Sequence, residues 1–477
     1  MRYYMMTCDG EICVTRRDPM TIDADYWRRR LATLAEQYHV PGAAVGILRL
    51  QPGHDDLVAA SCGLLNIAAA IEATTDSLWQ IGSITKVWTA TVAMQLVDEG
   101  LLDLDTPVAD YLPELRLADA DAAKAVTMRH LLTHTSGIDG DVFTDTGRGD
   151  DCLAKYVALL PQLRQIHPIG ATWSYCNSGF SLAGRVIERI TGGTWDAAIR
   201  ERIIVPLRLT HTVTLPEEAL LFRTAAGHVD VNGERRLTPL WGLPRSAGPA
   251  VLISATPADV LAFARMHMTG GLAPDGTRVL SAASVKAMAE FHTEVPDKYV
   301  LGDSWGLGWI RFDWGGHELV GHDGNTIGQA AYLRVLPEAG LAVVLLTNGG
   351  HARDLYQDLY REIFAEIAGV EMAAPIQPPA EAAAADVTPH LGTYERAGMH
   401  IEVLAGGDGP MLRTTAVESL AQVTPDPIAE YPMTAIGPGL YVVREAGTLT
   451  WLPVTFYELP SGEKYVHFAA RATPKAG

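Results

Sequence analysis

A serine and a lysine lie three residues apart where a long apolar segment begins. The segment is 78–100, LWQIGSITKVWTATVAMQLVDEG, and the pair is Ser83 and Lys86. Helical spacing puts both side chains on one face of the first turn, with Ser83 at the N-cap. Burial lowers a lysine pKa from about 10.4 and leaves a neutral amine that can take the serine proton. The pair predicts a nucleophile and its base. The structural alternative is a capping serine followed by a lysine that reaches solvent.

A phenol and a carboxamide stand two residues apart further along the chain. They are Tyr175 and Asn177, in a predicted loop at 172–179, TWSYCNSG, which leads into a helix predicted from Leu182. A phenol near a buried lysine can be partly ionised and can carry a proton between the serine and a leaving group. The amide can bind both a substrate carbonyl and the lysine. The alternative is a packed tyrosine followed by an Asn-Ser-Gly turn.

A third polar group lies in the glycine-rich stretch 320–328, VGHDGNTIG, at the end of a predicted strand. From this position His322 can reach into a cleft, and Gly324 lets a substrate lie close to the backbone. The next amide, that of Asn325, is then free to donate to an oxyanion. One alternative is a glycine-rich turn with a structural histidine. A phosphate-binding loop is a weaker alternative, because the stretch lacks the Gly-Lys-Ser/Thr ending.

Length, charge and composition limit the function. With 477 residues, 48% of them hydrophobic, the chain has room for two or three domains. A net charge of −19 opposes binding to nucleic acid or to an anionic membrane. No apolar segment has the length of a bilayer span and no signal sequence is recognisable, so we expect a cytoplasmic protein without a membrane partner. The five cysteines match no zinc spacing, and we expect no disulfide, metal or cofactor.

Strand patterns lie on both sides of a helical region, which predicts an α/β (α+β) fold with an antiparallel sheet flanked by helices. Strands are predicted at 43–48 and 58–65 before the central helix, and hairpins at 308–322 and 329–347 after it. The sheet is therefore completed by distant parts of the sequence. The predicted domains are an N-terminal extension at 1–22, a catalytic domain at 23–369 with a helical insertion at about 101–264, a Pro- and Ala-rich linker at 370–386, and a small all-β barrel or sandwich at 387–477.

Together the three sites resemble the signatures of serine β-lactamase-like enzymes, a group that includes class C β-lactamases, D,D-carboxypeptidases, esterases and D-aminopeptidases. Ser83-Ile84-Thr85-Lys86, Tyr175-Cys176-Asn177 and His322-Asp323-Gly324 follow the order Ser-x-x-Lys, Tyr-x-Asn and His/Lys-x-Gly. The segment 131–138, LLTHTSGI, is similar to a structural motif of the same enzymes, which removes the zinc-site interpretation of His130 and His134. The resemblance covers roughly 24–368. The tail resembles the lipocalin-like domain that some of these hydrolases carry.

The resemblance implies a role for each site residue. Ser83 is expected to be acylated, with Lys86 as its activating partner and Tyr175 as general base and as acid toward the leaving group. Asn177 is expected to bind substrate, and the backbone amides of Ser83 and Asn325 to form the oxyanion hole. His322 stands where β-lactamases of this type commonly carry lysine, which is more similar to the esterases and peptidases.

Two functions follow from these expectations. The first is a cytoplasmic serine hydrolase or acyltransferase acting on a peptide, ester or thioester carbonyl. The second is a stand-alone penicillin-binding-protein-type thioesterase, which releases a nonribosomal peptide by head-to-tail macrocyclisation; chain length, motif spacing and the β tail resemble those enzymes. In that case the substrate arrives on a carrier protein, and Asp323 either holds the substrate amine or forms a structural salt bridge. A β-lactamase and a non-catalytic scaffold are the weaker alternatives.

Overall fold

The structure of the chain, a computed structural model, describes residues 7–8, 11–12, 22–231, 233–380, 385–407, 409–421, 424 and 427–476. The predicted N-terminal extension therefore lies mostly outside the described residues. Its described part consists of the paired strands Thr7–Cys8 and Glu11–Ile12. None of the helices in the described ranges is long and apolar enough to cross a bilayer.

In the described part of the chain, nine strands form one antiparallel sheet. Its centre joins the two ends of the catalytic region, because Leu345 pairs with Val45. This confirms the prediction of a sheet completed by distant segments. The strands, in their order across the sheet, are Thr293–Glu294, Ser304–Trp305, Ile310–Trp314, His317–Thr326, Gln329–Leu336, Leu341–Thr347, Gly42–Gln51, His54–Asn66 and Ile71–Glu72.

Helices cover both faces of this sheet, and side chains alternate between two cores as a strand requires. Val45 and Ile47 pack on one face, with the helices Ala24–Gln37 and Ala352–Ala368. Ala44 and Leu48 point to the other face, which carries the central helix Thr85–Asp98 and the helix Pro257–Met268. Every residue of the central helix from Thr85 to Leu96 is buried, as its apolar sequence predicts.

The region between the two halves of the sheet is mostly helical. It also contains strands that the sequence analysis did not predict. Trp79–Gln80, Ser254–Ala255 and Thr212–Val213 form a small antiparallel sheet, and His228–Val231 pairs with Glu234–Leu237. The helices of this region are Val108–Tyr111, Ala120–Ala125, Met128–Leu132, Cys152–Val157, Asn177–Thr191, Trp195–Ile199, Pro216–Ala219 and Gly248–Val251; Ala282–Ala289 follows later.

The C-terminal part is all-β, as predicted. Two antiparallel sheets share one apolar core that includes Tyr394, Ile401 and Val454. The first and last strands meet where the Ala476 N–H donates to the Thr393 carbonyl at 2.8 Å, so the two sheets approach a closed barrel. The strands are Gly392–Arg396, Met399–Gly406, Gly409–Ala416 and Ile428–Pro432 in one sheet, and Thr434–Gly437, Leu440–Arg444, Trp451–Glu458, Lys464–Phe468 and Arg471–Pro474 in the other.

Candidate active site

Ser83 and Lys86 meet at the N-terminal end of the central helix. Ser83 lies in a 3₁₀ turn, Gly82–Ile84, and the α-helix begins only at Thr85. The prediction of Ser83 as N-cap is therefore wrong, because Ile84 holds that position and no side chain caps the helix. The Lys86 Nζ lies 3.0 Å from the Ser83 Oγ. Freed from capping, the serine hydroxyl faces the lysine instead.

The Lys86 amine has three hydrogen-bond partners and no exposed surface. Besides Ser83, they are the Asn177 Oδ1 at 2.7 Å and the Ala250 carbonyl at 3.0 Å. Burial, followed by the nearby Arg471 guanidinium, lowers the pKa of Lys86 well below its usual value. A neutral amine has two N–H groups and one lone pair. The two carbonyl oxygens can only accept, so in the neutral form of Lys86 they take the N–H groups and leave the lone pair for the Ser83 hydroxyl proton.

Asn177 is held from both ends of its amide. It is the first residue of the helix Asn177–Thr191, and its backbone N–H donates to the Gly140 carbonyl at 3.1 Å. Its side-chain Nδ2 donates to the Asp141 Oδ1 at 3.0 Å, which turns its Oδ1 toward Lys86. The sequence analysis placed the start of this helix at Leu182. That prediction was wrong because Cys176 acts as the N-cap, accepting from the Gly179 N–H at its Sγ.

Tyr175 lies against the lysine and is almost completely buried. Its ring centroid is 4.6 Å from the Lys86 Nζ and 4.3 Å from the His134 ring, on which it stacks. Burial raises the pKa of Tyr175, although the Ser83 hydroxyl and the Arg471 guanidinium oppose that rise. A neutral phenol is thus the resting form, in place of the partly ionised phenol expected from the sequence. Its buried hydroxyl is directed at the Ser83 hydroxyl without reaching hydrogen-bond geometry, and it has no other partner among the described residues.

His322 and Gly324 face this cluster from the strand His317–Thr326, which continues through the third motif where a strand end or turn was expected. The His322 Nδ1 lies 2.6 Å from the Asp323 carbonyl, so Nδ1 carries the proton. Burial, and then the nearby Lys86, lower the pKa of His322 to about 3. The imidazole is therefore neutral and presents Nε2 as an acceptor. Among the described residues this buried atom has no partner.

Gly324 brings two backbone segments into contact. A Cβ on Gly324 would lie 1.9 Å from the Ile81 carbonyl oxygen and 3.0 Å from the Ser83 nitrogen. A Cβ on Gly82 would lie 2.6 Å from the Asn325 nitrogen. The glycines thus allow the strand to reach the Ser83 turn, rather than only leaving room for a substrate. This contact brings the backbone at Ser83 close to the backbone at Asn325, the two residues whose amides are expected to form the oxyanion hole.

Asp323 does not join the cluster. Its Oδ1 accepts from the Arg334 Nη1 at 2.6 Å, and both side chains are buried. The Arg334 guanidinium packs between the rings of Phe312 and Tyr356. Adjacent strand residues point to opposite faces of the sheet, so Asp323 points away from Ser83. Of the two roles expected for Asp323, the structure favours the structural salt bridge.

Behind Asn177 lies a second layer of charged residues, which no sequence motif indicated. The buried Asp141 accepts from the Arg396 Nη1 at 2.6 Å and from the Arg471 Nη2 at 2.9 Å. Both arginines belong to the C-terminal β domain. Burial alone would raise the pKa of Asp141, but the two guanidinium groups and the Asn177 amide lower it to about 2. The C-terminal domain also reaches Tyr175, whose N–H donates to the Ala470 carbonyl at 3.0 Å.

The two histidines once considered for zinc have structural partners. His130 forms a capping box with Thr127 at the helix Met128–Leu132. The His134 Nδ1 accepts from the Cys176 N–H at 3.0 Å, which fixes the backbone next to Tyr175. Across the described ranges, no three His, Cys, Asp or Glu side chains form a group that could hold a metal ion. Cys62, Cys152 and Cys176 are free thiols.

A cavity of about 710 Å³ lies between the segments 143–148 and 240–245. Leu252 and Ile327, which follow Ala250 and Asn325 by two residues in the sequence, also line it. The other apolar residues of its wall include Phe143, Leu215, Leu240 and Leu243, and the charged residues are Asp145, Arg148, Arg245 and Glu418. The wall of the cavity is therefore mixed in polarity, and Ser83, Lys86 and Tyr175 are not part of it.

An antiparallel sheet with an inserted helical region and a Ser–Lys–Tyr–Asn cluster at their junction defines a serine β-lactamase-like protein. The profile of the Beta-lactamase family matches residues 27–366, more than two thirds of the chain. The chain belongs to this family. Penicillin-binding protein 4 of Amycolatopsis lactamdurans is 47% identical to it over 382 residues, which are 80% of this chain and 99% of that protein.

Solved structures agree with the sequence relatives. The crystal structure of SurE with D-Leu is similar over 95% of this chain and 99% of the SurE chain, with a TM-score of 0.74 and 26% identity. A D-stereospecific amidohydrolase from Streptomyces sp. is similar over 73% of this chain and 99% of its own, with a TM-score of 0.58 and 27% identity. These likenesses support a serine acyl-enzyme hydrolase type of activity. The likeness to SurE, which covers 95% of this chain, extends into its C-terminal β domain.

Proposed function

We propose that the protein is a serine acyl-transfer enzyme in which Ser83 is the nucleophile and Lys86 the base. The observation that carries this proposal is the set of contacts made by the Lys86 amine. Two carbonyl oxygens, which can only accept, lie 2.7 and 3.0 Å from the Nζ, and the Ser83 Oγ is the third neighbour at 3.0 Å. When the amine is neutral, the carbonyl oxygens take its two N–H groups and its lone pair is left for the Ser83 hydroxyl proton.

Acylation of Ser83 begins with a proton transfer. The Lys86 amine takes the proton from the Ser83 hydroxyl as Oγ attacks the substrate carbonyl carbon. The amides of Ser83 and Asn325 stabilise the oxyanion. As the bond to the leaving group breaks, Tyr175 gives its phenolic proton to that group, and the Lys86 ammonium returns a proton to the phenolate. The acyl group remains as an ester on Ser83, and Lys86 and Tyr175 have returned to their starting protonation states. Water or an amine then releases it.

The substrate that fits this site is an uncharged carbonyl group next to an apolar D-residue. A neutral His322 offers an acceptor to a substrate N–H, whereas it cannot pair with a carboxylate. This favours an amide, ester or thioester substrate over a β-lactam. The apolar residues in the wall of the cavity, among them Phe143, Leu240 and Leu243, are the proposed contacts of the side chain. The D-configuration is supported by the likeness to SurE, whose crystal structure contains D-Leu, and to the D-stereospecific amidohydrolase.

A second candidate, macrocyclisation of a carrier-bound peptidyl thioester, is favoured by the C-terminal domain. That domain forms one wall of the site, with the Ala470 carbonyl bound to Tyr175 and the Arg471 guanidinium 4.8 Å from the Tyr175 ring centroid. A wall that limits access of water helps a substrate amine to compete for the ester. Hydrolysis and cyclisation share the same acyl-enzyme and differ only in its second step.

Peptidyl pantetheine thioesters distinguish these outcomes. We would compare peptides that end in D-Leu or L-Leu, each with a free or an acetylated N-terminus, and identify the products by liquid chromatography and mass spectrometry. Acylation of Ser83 by the D-Leu peptide and not by the L-Leu peptide is expected. The free amine yields a ring if the enzyme is a cyclase, and linear acid if it is a hydrolase. Equal acylation by both epimers would contradict the proposed substrate.

A further inference from the structure

Asp141 is a buried carboxylate without a direct contact to Ser83 or Lys86 in the described structure. Its two oxygens accept three hydrogen bonds, one from Asn177 and one each from Arg396 and Arg471. The low pKa of Asp141 keeps it ionised, so it can only accept. Burying a carboxylate is costly unless it is paired and fully hydrogen-bonded. This carboxylate is maintained in the interior beside the nucleophile.

The orientation of the Asn177 amide depends on this carboxylate. An amide side chain can be turned by 180° with little change in shape, so that either its oxygen or its NH₂ group faces a given neighbour. Here Asp141 accepts from Nδ2 at 3.0 Å, which leaves Oδ1 to face Lys86 at 2.7 Å. If the amide were reversed, an NH₂ group would face the lysine. It would then compete with Ser83 for the amine lone pair, and the base would be lost.

We infer that Asp141 is a positioning residue for acylation, anchored by the C-terminal domain, which holds the Asn177 amide so that the lone pair of Lys86 is directed at Ser83. This inference rests on the proposed function. It gives the β domain a part in the chemistry, because Arg396 and Arg471 come from the strands Gly392–Arg396 and Arg471–Pro474. The chain of contacts runs from these arginines through Asp141 and Asn177 to the base.

Asp141→Asn is the direct test, with Asp139→Asn as a matched control. Asp139 is also buried and also binds the C-terminal domain, since its Oδ2 accepts from the Ala397 N–H at 2.6 Å, but it makes no contact with Asn177 in the described structure. We would measure the rate of acylation by a fluorophosphonate across pH, together with the thermal unfolding midpoint. Asp141→Asn should acylate about tenfold to a hundredfold more slowly, the range for loss of a group that positions a reactive one.

The pH profile separates positioning from simple loss of structure. The charged groups around Lys86 are Asp141, which raises its pKa, and Arg471, which lowers it; Tyr175, Cys176, His134 and His322 are the neighbouring titratable groups. Asp141→Asn removes the negative charge that raises the pKa of Lys86 and leaves the positive charge of Arg471, which lowers that pKa. The pKa of Lys86 should therefore fall further. The acid limb of the profile should therefore move to lower pH in Asp141→Asn and stay in place in Asp139→Asn.

Arg396→Gln covers the case in which Asp141→Asn fails to fold, because Arg471 still balances the carboxylate. It should slow acylation severalfold and still unfold in one cooperative transition in denaturant, as a folded protein does. A folded Asp141→Asn or Arg396→Gln with the wild-type rate would overturn the inference. So would an equal loss in Asp139→Asn, since that would assign the effect to domain docking. Failure of the proposed function looks different, because the wild-type protein would then not be acylated at Ser83.

Discussion

Replacement of Lys86 by arginine or methionine tests whether Lys86 acts as a base or only as a positive charge. Arginine keeps the positive charge but cannot release a proton at accessible pH. Methionine keeps an unbranched chain without the amine. General base catalysis contributes roughly 10²- to 10⁴-fold to a rate, or about 3 to 5 kcal/mol in activation free energy. We expect both variants to lose acylation by this factor, because each removes the lone pair that lies 3.0 Å from the Ser83 Oγ.

Stability should fall by no more than a few kcal/mol. In Lys86→Met the Asn177 Oδ1 and the Ala250 carbonyl lose their donor, and each unpaired buried acceptor costs about 1 to 3 kcal/mol. Removal of a fully buried amine offsets part of that cost. The variant should therefore fold, and its thermal midpoint serves as the control.

The pH dependence of the acylation rate shows whether the pKa of Lys86 is raised or lowered. Acylation needs the neutral amine, so the rate is full above the pKa of Lys86 and is lost as the pH falls through it. Because burial lowers this pKa well below its usual value, the wild-type rate should reach its plateau well below about pH 10.4. We would measure it by rapid-mixing fluorescence with an activated ester. A rate that kept rising toward about pH 10.4, or an arginine variant with most of the wild-type rate, would refute the role of Lys86 as base.

Three further predictions concern the third motif. Gly324→Ala should slow acylation and lower the thermal midpoint, since its Cβ would lie 1.9 Å from the Ile81 oxygen; Gly437→Ala is a control, because Gly437 also has no positive φ and a Cβ there would meet open space. His322, whose pKa is lowered to about 3, should show no titration between pH 5 and 8 by proton NMR. Arg334→Met should destabilise the fold by about 3 to 5 kcal/mol in urea unfolding, because it leaves Asp323 buried and unpaired.

Each of these three predictions has an outcome that would contradict it. An alanine at Gly324 with wild-type rate and midpoint would mean that the strand and the Ser83 turn are not in close contact. A His322 midpoint near 6.5 would show a solvated, chargeable imidazole. An Arg334→Met variant as stable as the wild type would place Asp323 in solvent and reopen a role in binding a substrate amine.

Local sequence patterns were sufficient to predict much of the fold and the residues that lie around Ser83. The buried central helix and the hairpins at Ile310–Thr326 and Gln329–Thr347 follow from runs of apolar residues and turn signals. The spacing of Ser83 and Lys86 already indicated their contact. The helix start at Asn177 was missed because Asn-Ser-Gly is a common turn sequence, and its N-cap is an unusual one, the Cys176 thiol.

The second layer could not be predicted from local patterns. Arg396 and Arg471 meet Asp141 across 255 and 330 residues of sequence, and neither arginine stands in a recognisable motif. The same holds for the contact of the Ala470 carbonyl with Tyr175. Such contacts depend on how the β domain packs against the rest of the chain. The spacing of apolar residues along the sequence gives no information about that packing. The domain boundaries at 370–386 remain a prediction.

The central claim is that Ser83 carries the acyl group, and peptide mass spectrometry tests it most directly. The wild-type protein and Ser83→Ala would be treated with a fluorophosphonate and with a D-Leu peptidyl thioester, then digested and sequenced. We predict one adduct, on the peptide that contains Ser83, and no adduct in Ser83→Ala at an unchanged thermal midpoint. An adduct on another residue, or undiminished labelling of Ser83→Ala, would contradict the account.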